Sequence, residues 1–294
     1  MKETFKKILK KNQAVYRFLC RVYAAKVSWT NYGRSSIWRM KRLKGRHQGE
    51  RCFIVGNGPS LRAADLDRIA GEVTFGLNRI YRIFPETVWR PTYYVVSDSD
   101  LVRDLYAAPN ETQGARARFF PSNFRGEYQG RDPAGRSPRR SLSTGGRAVL
   151  YRLKDCDPSG SPPPRFSADP SLYVTQGYTV TYVALQLACY MGFREIYLIG
   201  MDYSVSIYKD CKGNLYRDGQ IFNHFYSQEA DTLDTDTVPN LEICGLAYRE
   251  ARKYAEAHGI GIRNATRGGK LEVFERVDFD RIEGLRERAA EKES

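Results

Sequence analysis

Short apolar runs alternate with helical-period stretches from residue 51 onward, and this pattern predicts an α/β fold. Cys52, Phe53, Ile54 and Val55 form an apolar run that stops at Gly56, as expected of a parallel strand buried on both faces. Stretches 73–78, 90–98, 195–200 and 260–264 share this character and predict further strands. Helices are predicted over 101–106, 178–191 and 237–258. The middle one is largely apolar (Val183, Leu185, Leu187, Ala188, Met191) and meets a natural stop at Gly192. The last turns Leu241, Leu246, Ala247, Ala251 and Tyr254 inward, and a charged helix is expected from Leu285. Between about 126 and 171 Gly, Pro, Ser and Arg displace all periodicity, which predicts a flexible insertion or lid within a domain spanning 51–294.

The first 50 residues read differently. Phe5, Ile8, Leu9, Val15, Phe18, Leu19, Val22 and Tyr23 recur at spacings of three and four among basic residues, the pattern of a basic amphipathic helix. Residues 1–50 carry 14 Lys and Arg against only Glu3 and Glu50, so nearly all of the net charge of +13 lies there. An anchor on an anionic membrane surface fits this stripe. A helix packed on the body, or a nucleic-acid arm, would carry the same charge, but no nucleic-acid motif accompanies it, so no nucleic-acid partner is expected. No apolar run is long enough to span a bilayer and no secretory leader is visible. The six cysteines show no metal-ligand spacing, and Cys52 and Cys189 lie in apolar patterns, so buried thiols in a reducing, cytoplasmic setting are expected.

Candidate chemistry gathers at the predicted strand ends. Gly56-Asn57-Gly58-Pro59-Ser60 follows the first strand, and Ser60 is placed to cap a helix with Asp65 and Asp67 near its first turn. A strand, a glycine turn and a helix start make an anion site, with the Asn57 amide free for a ribose or base edge. An ordinary tight turn would look the same, and the third glycine of the dinucleotide fingerprint is missing. Asn78, Asp98 and Asp202 also stand at strand ends, where open α/β sheets hold their ligands. His224 lies in a polar aromatic loop and is the histidine best placed to act as a base, although a lone histidine is more often structural than catalytic.

Gly56–Leu61 resembles the opening of the bacterial lipooligosaccharide sialyltransferases and of a broad bacterial family named after 6-hydroxymethylpterin diphosphokinase, to which motility accessory factors are related. The run from Tyr182 through Gly192 to Gly200-Met201-Asp202 is similar to the second signature of both, and Asn264–Phe274 to the closing signature of the diphosphokinase-like family. The resemblance implies a Rossmann-like, sialyltransferase-like domain with a lid and no essential metal, whose donor is a CMP-activated acidic sugar. Carried over, it assigns nucleotide contacts to Asn57, Asn78, Asp98 and the turn Thr175-Gln176-Gly177, and sets Tyr208 near a phosphate-binding tyrosine. The catalytic apparatus departs from the sialyltransferase pattern. His224 matches the first of its two histidines, but Gln228 occupies the place of the catalytic second one. Tyr173 replaces an arginine and Ser204 a tyrosine.

The expectation is a peripheral enzyme at the inner face of the cell membrane. It would transfer a nucleotide-activated sugar to a glycan or glycolipid in surface-glycan assembly, with His224 and Asp202 as catalytic residues. Amides of the helix after Gly58 would steady the leaving nucleotide. The alternative enzyme is an ATP-dependent diphosphokinase with Mg²⁺ held by Asp98 and Asp202. A nucleotide-sensing scaffold is the non-enzymatic alternative.

Overall fold

The computed structural model describes residues 31–98, 101, 102, 105, 114–122, 148–217, 224, 225 and 239–285. The elements in chain order are α1 (Asn31–Arg42), β1 (Arg51–Val55), α2 (Ala63–Arg68), β2 (Thr74–Leu77), a 3₁₀ stretch (Asn78–Glu86), β3 (Tyr93–Val95), β4 (Ala117–Pro121) and β5 (Ala148–Tyr151). Then follow β6 (Leu153–Lys154), β7 (Val174–Thr175), α3 (Val180–Met191), β8 (Glu195–Ile199), β9 (Ile207–Lys209), β10 (Leu215–Arg217), α4 (Leu241–Ala257), β11 (Gly261–Asn264) and β12 (Glu275–Arg276).

Eight strands form one sheet in the order β12-β11-β8-β1-β2-β3-β4-β5, and every neighbouring pair is parallel. The apolar runs explain this, because a parallel strand covered on both faces has no polar side to show. One face carries Phe75, Tyr93 and Phe119 on adjacent strands, with ring centroids 5.0 and 6.0 Å apart, and packs against α3 and α4. The other face buries Phe53, Tyr94, Phe120 and Trp89. Each such ring is worth about 1.5–3 kcal/mol of burial. α3 is buried almost all round, as its continuous apolar sequence predicts, and Gly192 ends it in the left-handed conformation at φ 95°. The thiols of Cys52 and Cys189 are free; burial pushes Cys52 well above its ordinary pKa and Cys189 up to about 12, so neither is a nucleophile.

Several expectations are corrected. The boundary does not fall at residue 50, because Met40, Leu43 and His47 are buried in the body. His47 bridges the Glu50 carboxylate at 2.9 Å and the Tyr93 hydroxyl at 2.7 Å and stacks on Phe193, so it is core rather than tail. The stretch read as an insertion supplies β5, the edge strand of the main sheet, together with β6 and the ordered segment leading to β7. Its Pro- and Ser-rich composition hid a buried four-residue strand. The third predicted strand is shorter than its pattern, Tyr93–Val95. Of the helix predicted over 101–106, Leu101, Val102 and Leu105 are described, and all three are helical and buried. The apolar stripe of residues 5–23, the 126–147 part of the lid, Gln228 and the C-terminal helix beyond Leu285 lie outside the described residues.

Candidate functional site

Strand order locates the site. From β1 the chain winds outward through β2, β3, β4 and β5 on one side, while β8, β11 and β12 lie on the other. The switch point therefore falls between β1 and β8, and a crevice opens beyond their carboxyl ends. Those ends are Gly56–Ser60 and Gly200–Asp202, so two motifs far apart in sequence meet where an open α/β sheet binds ligands.

They interlock closely. The Gly56 amide donates to the Ile199 carbonyl and the Gly58 amide to the Gly200 carbonyl, both at 2.9 Å. Gly200 takes φ 65°, and a Cβ at Gly58 would lie 1.7 Å from Asp202 Oδ2. Ser60 donates its hydroxyl to the same oxygen at 2.7 Å, and its backbone amide also serves the Asp202 carboxylate. Two sequence expectations change here. Ser60 caps no helix, since α2 begins at Ala63 with Arg62 at its N-cap and no side-chain cap. The anion held at the glycine turn is the protein's own Asp202 carboxylate, and two turn amides are spent on the β8 backbone. Amides of a helix directly after Gly58 are thus not available to a leaving nucleotide. Pro59 stands exposed at the tip of this turn.

Asp202 is 7% exposed, and burial raises its pKa, while the Ser60 hydroxyl and amide pull it down. A carboxyl whose folded pKa is raised binds its proton more tightly when folded. Its stabilising contribution is therefore complete below the unfolded pKa and is lost as pH climbs through the folded one. Asp202→Asn is expected to remove the part of the decline in melting temperature that sets in as pH rises above the ordinary carboxylate range. Identical slopes for both proteins would refute the shift.

Asn57 donates its Nδ2 to the Leu77 carbonyl at 2.9 Å, tying the turn to the end of β2. Its Oδ1 is buried and has no hydrogen-bond partner among the described residues. The Asn57 carbonyl accepts the Phe225 amide at 3.0 Å, which brings the loop carrying His224 alongside the turn. Asn78 follows β2 at φ 46°, and its backbone carbonyl accepts the Tyr94 hydroxyl. Half-buried Asp98, beyond β3, offers its carbonyl to the Val102 amide at 3.1 Å and so starts the next helix.

The N-terminus of α3 also reaches the crevice. Thr179 caps it by accepting the Thr181 amide, and the Thr181 hydroxyl donates to Met201 Sδ at 3.3 Å. Just before it, Gln186 clamps the Thr175 backbone from both sides at 2.9 Å. The Thr175 hydroxyl is left buried without a partner among the described residues. The Gln176 amide donates to the Lys154 carbonyl, and Gly177 packs where a Cβ would strike Ala247 and Tyr182. Tyr208 stands apart from this group, stacked on Tyr216 at 5.0 Å in the β9–β10 hairpin.

Sequence reasoning missed the wall formed by the closing segment. The Lys270 amide donates to the Asp202 carbonyl at 2.7 Å, Gly269 packs against the Asp202 backbone at φ 75°, and the Thr266 hydroxyl accepts the Met201 amide. Arg267 forks onto Asp65 and Asp280 at 2.7–2.9 Å, so Asp65 is an ion-pair partner as well as a first-turn acid. The paired glycines of Arg267-Gly-Gly-Lys270 were the visible signal, but not what they pack against.

No protein-family model matches the chain, and no curated protein matches it in sequence. Solved structures similar to it include a glycosyltransferase and a sialyltransferase. The MAf glycosyltransferase from Magnetospirillum magneticum AMB-1 is 16% identical with a TM-score of 0.49, over 89% of this chain and 41% of that one. The chain thus spans about two fifths of that protein's length. The sialyltransferase CstII from Campylobacter jejuni, solved in complex with a substrate analogue, cytidine-5'-monophosphate, is 14% identical with a TM-score of 0.42, over 78% of this chain and 85% of that one.

Proposed function

We propose that the chain is a glycosyltransferase whose donor is a CMP-activated acidic sugar and whose acceptor is a surface glycan or glycolipid. The observation that carries this reading is the buried, unpartnered Oδ1 of Asn57 at the β1/β8 switch point. A buried acceptor with nothing to accept costs about 1–3 kcal/mol, and a ligand that brings an N–H or O–H relieves it. A cytosine amine or a ribose hydroxyl has the right chemistry. The unpartnered Thr175 hydroxyl and the N-terminus of α3 extend the same crevice toward a phosphate.

In this reading His224 takes the proton of the acceptor hydroxyl, whose oxygen attacks the anomeric carbon while CMP leaves with the bonding electrons. The α3 amides take over the stabilising role that the sequence had suggested for a helix after Gly58. Asp202 braces the turn by accepting the Ser60 hydroxyl. The donor's charge is met by amides and hydroxyls, so binding needs no metal. The basic N-terminal segment ahead of α1 holds the enzyme at an anionic membrane surface; no helix among the described residues is long and apolar enough to cross one.

Thermal melting with CMP, UDP, GDP and ATP, each with and without Mg²⁺, tests the reading. CMP alone is expected to raise the melting temperature; about 100-fold over its Kd it supplies about 2.7 kcal/mol, a shift of about 5 °C. Asn57→Ala should lose that shift and keep the fold. A shift given solely by ATP with Mg²⁺ would replace the glycosyltransferase by the diphosphokinase.

A further inference from the structure

Far from the crevice, at the amino ends of β3 and β4, four arginines surround a cleft of about 270 Å³. Arg39 and Arg42 come from α1, Arg46 from the turn that follows it, and Arg116 from the residue preceding β4. Positions 39, 42 and 46 recur at helical spacing, so the fold collects them on one side and sets Arg116 opposite. The floor is apolar, formed by Leu43, Val149 and the ring of Tyr93. α1 is fixed over this floor, since Arg39 Nη1 donates to the Ala148 carbonyl at 2.9 Å and Ser36 Oγ accepts the Leu150 amide at 3.3 Å.

The cleft is built for negative charge it does not itself contain. Among the described residues no carboxylate lines it, and none of the four guanidinium groups is ion-paired. Elsewhere on this protein half-buried arginines are matched with acids, as Arg51 is with Glu72 and Arg267 with Asp65 and Asp280. At the rim Trp38 is 55% exposed, with the Arg42 guanidinium 4.4 Å above its ring. An exposed indole beside unpaired arginines is the pairing found at the bilayer interface, where the ring enters the headgroup layer and the cations meet phosphate.

We propose that this arginine cleft is a headgroup site for an anionic phospholipid. The phosphodiester sits among Arg42, Arg46 and Arg116, and Trp38 inserts beside it. Guanidinium forks suit phosphate oxygens, and the volume fits a headgroup rather than a sugar nucleotide. The proposal rests on the membrane-surface part of the reading above and is independent of the donor. It adds a folded site to the attraction of the basic N-terminal segment.

The test uses the full chain and sedimentation with vesicles of phosphatidylcholine, with and without phosphatidylglycerol. The triple variant Arg42→Gln, Arg46→Gln, Arg116→Gln is compared with an equal-charge control, Lys41→Gln, Lys44→Gln, Lys212→Gln, whose residues do not line the cleft. Loss of a basic residue near the surface weakens binding about fivefold, so the control is set by charge alone. The cleft variant is expected to lose at least about tenfold more than the control, and Trp38→Ala to weaken binding to the same vesicles. Equal losses in both triples would overturn the site in favour of diffuse charge. Unchanged binding by the cleft variant would overturn it in favour of the N-terminal segment alone. Glycerol phosphate or inorganic phosphate stabilising the protein without vesicle binding would assign the cleft to a soluble anion and also overturn it. The CMP shift of the cleft variant should match that of the wild type, which separates failure here from failure of the donor reading.

Discussion

Gly58→Ala is expected to destabilise the protein by about 1–3 kcal/mol and to abolish CMP stabilisation, the cost of overpacking a close contact. The added methyl would lie 1.7 Å from Asp202 Oδ2 and 2.8 Å from the Gly200 carbonyl oxygen. Asp202 cannot swing away without dropping the Ser60 hydroxyl bond, and the Gly200 carbonyl already accepts the Gly58 amide. The turn must therefore move, and Asn57, whose side chain reaches Leu77, moves with it. Urea unfolding reads the stability, and a double-mutant cycle with Asp202→Ala reads the coupling. Removing the carboxylate should recover part of the loss, because only the carbonyl obstacle remains. A Gly58→Ala protein as stable as the wild type would mean that the two motifs are not interlocked.

His224→Ala is expected to lower turnover by about 10²–10⁴ with nucleotide affinity little changed, the usual worth of a general base. Release of CMP from a panel of CMP-activated sugars provides the assay, and the CMP melting shift the control. The geometric ground is narrow and specific. The Phe225 amide is bonded to the Asn57 carbonyl, so the residue before it lies beside the turn that holds the unpartnered Asn57 oxygen. Wild-type activity should fall as pH drops through the histidine range, since protonation removes the base. A variant that fails to fold would give His224 a structural role. Full activity with an unchanged pH profile would move the base to Asp202 or Asp98 and reopen the diphosphokinase reading.

How much was legible depended on how local each feature is. β1, β2, β8 and β11, with α3 and α4, stood where apolar runs and helical period put them, because a strand or helix buried by a sheet must carry that pattern whichever partner covers it. Gly192 read correctly as a helix stop because a left-handed C-terminal residue is a local requirement. β5 was missed, since four buried residues inside a Pro- and Ser-rich stretch are too short to show a period. His47 was missed because burial depends on Tyr93 and Phe193, which local sequence does not announce.

By itself the sequence determined the α/β class, the glycine turn after β1 and the polar residues that cluster at strand ends. Only the tertiary structure decided what those residues do. Ser60 looked like a helix cap because serine before a helix usually is one; it is a donor to a carboxylate 142 residues away. Asp65 looked like a first-turn acid, and it is clamped by Arg267 across 202 residues. Asn57 gained an unpartnered oxygen, and Arg116 joined three arginines of α1 and its turn, through strand order alone. Periodicity records which face of an element is buried, whereas a hydrogen bond or a charged cleft depends on which elements become neighbours. That choice is made by the packing of the whole sheet.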